Sequence, residues 1–266
     1  MAMTPHVDPR SPDFPGDPSP QPPFGLRDSL QSGFLWSIGL AELSLLTATY
    51  RALHRFTGPK KIDFLIKLMG RAIPYSVGIK VAISGMDAHD KTSPCVYVSN
   101  HVNIFDLCVL YAAIPQYARA LEHIDHFSWP IVGPFLRDAG QIPINPDDPR
   151  QSAKALRQAA RFLADGHAIT VLPEGSRSLD GTVGHFFPGA FRLAIRARVP
   201  VVPIALRRGR ALSRRGDWRM RPGLEEVLFG APIPTSDLKL NDSAELADRC
   251  REIIIDLLQG RRAPGT

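Results

Sequence analysis

The sequence predicts an α/β protein with a mixed, mostly parallel sheet flanked by helices, preceded by an N-terminal helical pair. From residue 77 onward, short apolar β-branched runs alternate with segments of helical length. Such alternation is typical of a parallel or mixed sheet with helices packed on it. The 266 residues are enough for one domain of this kind with extensions.

Residues 1–28 are predicted to be a disordered, proline-rich tail. Residues 1–25 contain eight prolines together with Asp, Ser and Gly, and such a composition cannot form a packed element. The chain does not start with a basic stretch followed by an apolar run, so we expect no secretory signal.

Residues 29–75 are predicted to form a membrane-associating pair of helices. Residues 33–49 are strongly apolar and carry one charge, Glu42, but the stretch is shorter than the roughly 20 residues that a spanning helix needs. We expect it to lie in one leaflet, with a buried helix of a soluble fold as the alternative. Residues 62–73 have apolar side chains at helical spacing with lysine and arginine among them, which indicates a second, amphipathic helix.

Residues 76–260 hold the predicted α/β domain. We expect strands over residues 78–84, 95–99, 118–121, 141–144, 168–172, 201–206 and 226–229. We expect helices over residues 105–113, 127–137, 149–165, 189–196 and 243–259. Gly166 is expected to end the third of these helices as its C′ residue.

His101 and Asp106 lie where the second predicted strand passes into the first helix of this domain. Within one helix, this offset would place them about 140° apart around the axis. Because the helix begins between them, the two side chains can meet. A carboxylate on one ring nitrogen leaves the other free to accept a proton. The pair is a candidate general-base site, although a surface histidine beside a helix-capping aspartate would have the same spacing.

A polar turn over residues 173–178 follows the predicted strand 168–172. It places Glu174, Gly175 and Arg177 at the C-terminal end of a core strand, where open α/β sheets place ligand contacts. An ordinary β-turn is the alternative, since Pro, Gly and Ser are turn-forming residues. A further apolar run with two prolines, residues 199–204, is expected to be a buried or edge strand.

In order and spacing, these segments resemble the glycerolipid acyltransferase family, the lysophosphatidic acid acyltransferase-like proteins. That family carries Asn-His-x4-Asp, then Pro-Glu-Gly-Thr/Ser-Arg-Ser, then Val-Pro-Val-ϕ-Pro; here residues 100–106, 173–178 and 199–203 match these blocks. The resemblance implies transfer of a fatty acyl group from acyl-CoA or acyl carrier protein to a hydroxyl of a lysophospholipid or related lysolipid.

The resemblance also implies the roles of individual residues. His101 and Asp106 are the implied catalytic pair. The implied substrate-binding residues are Asn100, Glu174, Gly175, Ser176, Arg177 and Ser178. We expect no metal and no cofactor apart from the acyl thioester as co-substrate. The expected partners are the lipid acceptor, the acyl donor (with acyl carrier protein as one alternative) and a membrane surface, but no nucleic acid.

The chain departs from the family pattern at two positions that usually carry cations. Pro146 stands where the family has an arginine that helps to hold the acceptor phosphate, and Phe187 lies where a lysine or arginine often precedes Gly-Ala. Arg150 is a candidate substitute for the first. With Arg177 as the remaining motif cation, the sequence predicts a lysolipid with a substituted phosphate, or without phosphate, in preference to lysophosphatidic acid.

Charge and cysteine content restrict the partners and the compartment. The formal net charge of +6 favours anionic partners such as CoA or lipid headgroups. Seven arginines fall within residues 207–221, which indicates a surface for membrane or donor phosphates, or a solvated basic loop. The three cysteines are unclustered, as in reducing compartments. The expected location is the cytoplasmic face of a membrane, with peripheral or monotopic attachment.

Three alternatives remain open at this point. A thioester hydrolase would use Ser99 or Ser176 as nucleophile, although neither lies in a Gly-x-Ser-x-Gly turn. A membrane-bound lipid-binding protein with a decayed acceptor site would explain Pro146 and Phe187 but not the His/Asp pair. A nucleic-acid binder would leave both polar motifs unexplained.

Overall fold

The computed structural model describes residues 24–266; most of the predicted tail lies outside the described residues. The described helices are α1 (Leu26–His54), α2 (Asp63–Ser76), α3 (Asp106–Ala113), α4 (Val132–Asp138), α5 (Pro149–Ala164), α6 (Gly189–Ala197), α7 (Gly209–Leu212) and α8 (Ser243–Leu258). The strands are β1 (Ile79–Ser84), β2 (Val96–Ser99), β3 (Ala118–His123), β4 (Ile142–Ile144), β5 (Ala168–Val171), β6 (Val201–Arg207) and β7 (Gly223–Phe229).

The strands form a seven-stranded sheet in the order β1-β7-β6-β2-β5-β3-β4. β2 pairs in parallel with both β5 and β6, and β3 pairs in parallel with β5 and β4. β7 runs antiparallel to β6 and parallel to β1. The predicted mixed, mostly parallel sheet is confirmed, and so is the helical pair that precedes it.

Helices cover both faces of the sheet because strand residues alternate between two apolar layers. Along β6, Val202, Ile204 and Leu206 pack into the layer that contains α1, α2 and α3. Val201 and Ala205 point to the opposite layer, which contains α5, α6 and α8. This double coverage explains why the central strands β2 and β5 are buried along their whole length.

A helix was predicted over residues 127–137, and the start of this prediction is wrong. Residues 124–128 form a 3₁₀ turn, and Trp129 is extended, as expected for a residue that precedes proline. Ile131 then adopts a left-handed φ of 65°, so α4 begins only at Val132. The C′ position of Gly166 after α5 is confirmed, with a φ of 83°.

α1 is a 29-residue helix, longer at both ends than the apolar stretch from which it was predicted. Its N-terminal half contacts the chain just before β7: the Met220 N–H donates to Ser32 Oγ (2.8 Å), and Trp36 Nε1 donates to the Trp218 carbonyl (2.6 Å). Asp28 forms an ion pair with Arg221 at 2.9 Å. Within residues 24–266, no helix has both the length and the apolar content needed to cross a membrane.

The outer surfaces of α1 and α2 carry exposed apolar side chains. On α1, Leu26, Leu30 and Phe34 follow one another at four-residue spacing and are exposed, so they lie on one side of the helix. On α2, the exposed side chains include Phe64 and Leu68. Both helices bury their opposite sides in the protein.

Gly70 sets the distance between α2 and α3, the helix that carries Asp106. A Cβ atom at Gly70 would lie 2.6 Å from the Cys108 carbonyl oxygen and 2.8 Å from the Ala112 nitrogen. Because these are backbone atoms, they can yield only if the two helices separate. The absence of a side chain at residue 70 therefore allows the helices to pack closely.

We predict that Gly70→Ala lowers the free energy of unfolding by about 1–3 kcal/mol, since overpacking a tight contact costs that much. Gly33→Ala is the control: Gly33 is also helical, but a Cβ atom there would meet nothing within 4 Å, so helix propensity should stabilise this variant by up to about 1 kcal/mol. Urea unfolding measures both. Equal effects of the two substitutions would contradict the close contact.

Candidate active site

The two polar segments leave the sheet at the same edge. β2 and β5 are parallel neighbours with Val98 opposite Val171, so residues 100–106 and 173–178 continue side by side from the C-terminal ends of the two strands. This is the position in which open α/β sheets place ligand contacts, as the sequence predicted.

His101 and Asp106 meet across the turn between β2 and α3. His101 Nδ1 lies 2.7 Å from Asp106 Oδ2. The same oxygen accepts the backbone N–H groups of Val102 (2.6 Å) and Asn103 (3.0 Å). The Asp106 side chain is fully buried, whereas 21% of the His101 side chain is exposed. The pair therefore has a fixed ring orientation, with Nε2 as the ring nitrogen that no described residue binds.

The side chain of Asn100 is directed into the protein, towards β6. It is 1% exposed, and its amide is occupied by β6: Nδ2 donates to the Leu206 carbonyl (3.0 Å), and Oδ1 accepts the Leu206 N–H (2.8 Å). The side chain thus extends the pairing of β2 with β6 by one residue. In place of the expected substrate contact, we assign Asn100 the role of holding the end of β2.

Glu174 joins the two motifs. One carboxylate oxygen accepts the backbone N–H of His101 and the other accepts that of Gly184, both at 2.8 Å. Burial raises the pKa of Glu174 to about 7, although the two backbone hydrogen bonds act in the opposite direction. Both oxygens thus hold the backbone around His101.

The rest of the Glu-Gly turn also supports the histidine. The Ser178 N–H donates to the His101 carbonyl at 2.8 Å, and Ser178 Oγ accepts the Gly181 N–H at 2.9 Å. Gly175 has a φ of 71°, a conformation that favours glycine. Ser176 is exposed beside it.

Two guanidinium groups approach this turn. The Arg215 side chain donates to the Arg177 carbonyl at 2.8 Å and to Ser176 Oγ at 3.3 Å. Burial lowers the pKa of Arg177; the nearby Asp106 raises it and Arg215 lowers it. Within residues 24–266, neither arginine pairs with a carboxylate. The sequence had counted Arg177 as the one motif cation, so Arg215 is an addition from the structure.

The arginine-rich segment 207–221 is largely paired within the protein. Four of its arginines contact carboxylates of this chain: Arg207 and Arg208 contact Glu226, Arg219 contacts Asp217, and Arg221 contacts Asp28. These pairs fasten the segment to β7 and to α1. Much of the basic surface that the sequence indicated is thereby neutralised.

The two positions that depart from the family pattern, Pro146 and Phe187, place no cation beside the Glu-Gly turn. Pro146 and Arg150 are exposed near the start of α5. The ring of Phe187 lies over Gly175, where a Cβ atom would be 3.2 Å from the ring. In the described part of the chain, no group of three His, Cys, Asp or Glu side chains is arranged to hold a metal ion.

Sequence reasoning missed one buried carboxyl group, that of Glu225 on β7. Its side chain is fully buried and receives the Asn103 amide at 3.1 Å and 3.2 Å on its two oxygens. Strand periodicity could have found it, because Glu225 shares one face of β7 with the apolar Val227 and Phe229. The predicted strand began one residue too late to include it.

Comparison with known proteins finds acyltransferases. Residues 80–207 match the family model described as Acyltransferase. A chloroplastic 1-acyl-sn-glycerol-3-phosphate acyltransferase, BAT2 of Brassica napus, is 31% identical over 199 residues, which cover 74% of this chain and 56% of that protein. The chain therefore spans little more than half of that relative's length.

Two further relatives are similar over most of the chain. The 1-acyl-sn-glycerol-3-phosphate acyltransferase alpha of Ovis aries is 28% identical over 242 residues, which cover 91% of this chain and 82% of that protein. The crystal structure of the 1-acyl-sn-glycerophosphate (LPA) acyltransferase PlsC from Thermotoga maritima superposes with a TM-score of 0.77 at 20% identity, covering 89% of this chain and 96% of that one. The latter match supports the fold.

The raised pKa of Glu174 generates a prediction about stability. Because the pKa of about 7 in the folded state exceeds the ordinary value of 4.5, the folded protein binds the extra proton between these values, and its contribution to stability is lost as the pH rises through them. Across this pH range the free energy of unfolding of wild type should fall by about 1–3 kcal/mol as the pH rises, and we predict that Glu174→Gln abolishes this change.

The measurement is urea unfolding at several pH values between about 4.5 and 7.5, the window that the two pKa values of Glu174 define. The exposed Glu252 on α8 provides the control, and Glu252→Gln should keep the wild-type slope. A wild-type slope in Glu174→Gln would show that Glu174 does not titrate in this window.

Proposed function

From the match of residues 80–207 to the Acyltransferase family model, we propose that the chain transfers a fatty acyl group from acyl-CoA or acyl carrier protein to a hydroxyl of a lysophospholipid or related lysolipid. The observation that carries the proposal is the 2.7 Å contact between His101 Nδ1 and Asp106 Oδ2. It leaves Nε2 as the basic nitrogen, as general-base chemistry requires.

In the proposed mechanism, His101 Nε2 removes the proton from the acceptor hydroxyl as its oxygen attacks the thioester carbonyl. Asp106 keeps Nδ1 protonated and stabilises the imidazolium that forms. When the tetrahedral intermediate collapses, the C–S bond breaks and the imidazolium gives its proton to the departing thiolate. The products are the acylated lipid and a free thiol, and His101 returns to its neutral form.

Backbone amides of the Glu-Gly turn are the proposed donors to the tetrahedral oxyanion. The Gly175 N–H already donates to the Leu172 carbonyl at 3.2 Å. We therefore propose the backbone N–H of Ser176 as the donor to the oxyanion. Glu174 and Ser178 have the supporting part of holding the turn on the backbone of His101.

For the acceptor headgroup we propose a site formed by Arg177 with Ser176. The expected preference for a substituted phosphate stays a prediction; it was based on one motif cation, and Arg215 now stands beside Arg177. A competition between lysophosphatidic acid, lysophosphatidylcholine, lysophosphatidylglycerol and a lyso-ornithine lipid decides it. If lysophosphatidic acid has the highest kcat/KM, the expected preference is wrong, and Arg150 or a cation of the 207–221 segment such as Arg215 is the source of the missing charge.

Two alternative activities are separated from acyl transfer by the site and by one assay, with Ser176 left as the candidate nucleophile of a hydrolase. Ser99 is 1% exposed, so it is a poor candidate for the acylated nucleophile of a hydrolase. A lipid-binding protein without catalysis would not need a buried carboxylate aligned on a partly exposed imidazole. Release of free thiol that depends on the acceptor separates the transferase from both.

We predict that His101→Gln lowers kcat for acyl transfer at least about 10²-fold, because the general base is lost. Asp106→Asn should also lose at least about 10²-fold, since the amide can hold the wrong tautomer. The assay is mass spectrometry of the acylated product with acyl-CoA and the four lysolipids.

His167→Gln serves as the control, because His167 precedes β5 at the opposite edge of the sheet, where its ring packs on Tyr117 and Phe162. It should retain wild-type kcat. Full activity of a folded His101→Gln protein would refute the mechanism, whereas thiol release without an acylated lipid would indicate a hydrolase.

For the location, we propose peripheral or monotopic attachment at the cytoplasmic face of a membrane through α1 and α2. The exposed apolar side chains of both helices support this, since an amphipathic helix binds an interface through such a surface. The unpaired state of all three cysteines fits a reducing compartment. Acyl carrier protein remains a proposed donor, on equal terms with CoA.

We predict that the double substitution Phe34→Glu with Phe64→Glu reduces binding to phospholipid vesicles at least about tenfold, because two exposed aromatic side chains, 66% and 60% accessible, lose their transfer into the apolar layer. Co-sedimentation with vesicles measures the effect. Leu240→Glu, at an exposed apolar residue outside both helices, should bind as the wild type does. Unchanged binding of the double variant at high salt would rule out this attachment.

A further inference from the structure

Glu225 is a titratable group that the proposed mechanism does not use, and it lies directly behind the His/Asp pair. Its side chain is fully buried, on the face of β7 that packs towards α3. Asn103 joins the two acids: its backbone N–H donates to Asp106 Oδ2 at 3.0 Å, and its Nδ2 donates to the Glu225 carboxyl group at 3.1 Å. Asp106 Oδ1, the oxygen that points away from His101, is buried and finds no donor among residues 24–266.

The surroundings of Glu225 fix its orientation. Asn103 Nδ2 lies 3.1 Å and 3.2 Å from the two carboxyl oxygens. The amide of Asn103 cannot turn around, because its Oδ1 accepts the Phe105 N–H at 2.6 Å. Gly209 closes the other side: a Cβ atom there would collide with Asn103 Nδ2 and lie 2.6 Å from Glu225 Oε1. The carboxyl group is therefore held tightly against its neighbours.

The buried carboxyl groups of Glu225 and Asp106 lie close together, so we expect them to share one negative charge. The groups that face it are Asp106 and the Cys108 thiol from α3, together with the neutral Asn103 amide. Burial raises the pKa of Glu225 well above its usual range, and Asp106 raises it further. Three donors converge on Asp106 Oδ2, so the charge belongs on Asp106 and the proton on Glu225.

We propose that Glu225 is a positioning residue that stays protonated and donates its O–H to Asp106 Oδ1, so that both oxygens of the carboxylate are fixed while Oδ2 holds His101. The link to catalysis rests on the proposed function; the carboxyl pair itself does not. The donated hydrogen bond draws negative charge towards Oδ1, which weakens the attraction of Asp106 for the imidazolium. A weaker attraction favours the neutral form of His101 that acts as the base.

Two substitutions distinguish a protonated from an ionised Glu225. Glu225→Gln keeps a donor for Asp106 Oδ1 and an acceptor for Asn103, so kcat should remain within about threefold of wild type with the acid limb of the kcat/KM profile unmoved. Glu225→Met has a similar shape without a donor, so kcat should fall at least about tenfold and the acid limb should move to higher pH. Glu226→Gln, one residue along on the ion-paired side of β7, should behave as wild type.

Two readouts do not require acyl transfer. In infrared spectra recorded above the pKa of about 7 of Glu174, the difference between wild type and Glu225→Gln should contain the C=O band of a protonated carboxylic acid. In NMR titrations, with the His101 signal assigned through His101→Gln, the ring should titrate at higher pH in Glu225→Met than in wild type. If the wild type acylates no acceptor, the proposed function fails while these two readouts still decide the protonation of Glu225.

The inference is overturned by either of two results. One is the absence of a carboxylic acid band from the difference between the wild-type and Glu225→Gln spectra. The other is a Glu225→Gln protein in which the His101 ring titrates at lower pH than in wild type, since this means that a negative charge was removed. Should Glu225→Met fail to fold, judged by thermal unfolding, the glutamine variant and the infrared band still decide.

Discussion

The burial of the Asp106 carboxylate is the constraint on which the rest of the site depends. A buried charge is costly unless it is fully hydrogen-bonded, and here the chain provides the bonds by folding its own backbone around the oxygen. The N–H groups of Val102 and Asn103 converge on Oδ2, which requires the tight turn between β2 and α3. That turn also carries His101 to the same oxygen. The same turn therefore stabilises the Asp106 charge and orients the His101 ring.

Sheet topology supplies the second half of the site. Residues 101 and 174 are far apart in sequence, but their strands are parallel neighbours, so both segments emerge at one edge. Glu174 and Ser178 then fasten the second segment to the backbone on either side of the His101 peptide. Because these contacts are to backbone atoms, they hold His101 in place independently of its side-chain chemistry.

The sequence predicted the parts of this arrangement that depend on local pattern. Apolar β-branched runs identified the strands, and the strand-to-helix break between His101 and Asp106 predicted their contact. The start of α4 was missed because the conformation of Ile131 is left-handed, which periodicity cannot indicate. Asn100 was expected to bind substrate because the family resemblance implies it, but tertiary pairing with Leu206 decides the direction of its side chain. Glu225 and Arg215 reach the site from segments more than a hundred residues away in sequence, where no local signal connects them to His101.

The docking of α1 against residues 218–221 has a consequence for biosynthesis. The helix leaves the ribosome before the other described helices and strands, and its partners Trp218, Met220 and Arg221 are made almost two hundred residues later. β1 likewise waits for β7, its strand partner. At typical rates of translation of about 5–20 residues per second, the apolar α1 spends roughly ten seconds or more without the surface that covers its inner side. During that interval the inner apolar side of α1 and the unpaired edge of β1 are both exposed, so the unfinished chain is open to aggregation until β7 has been made.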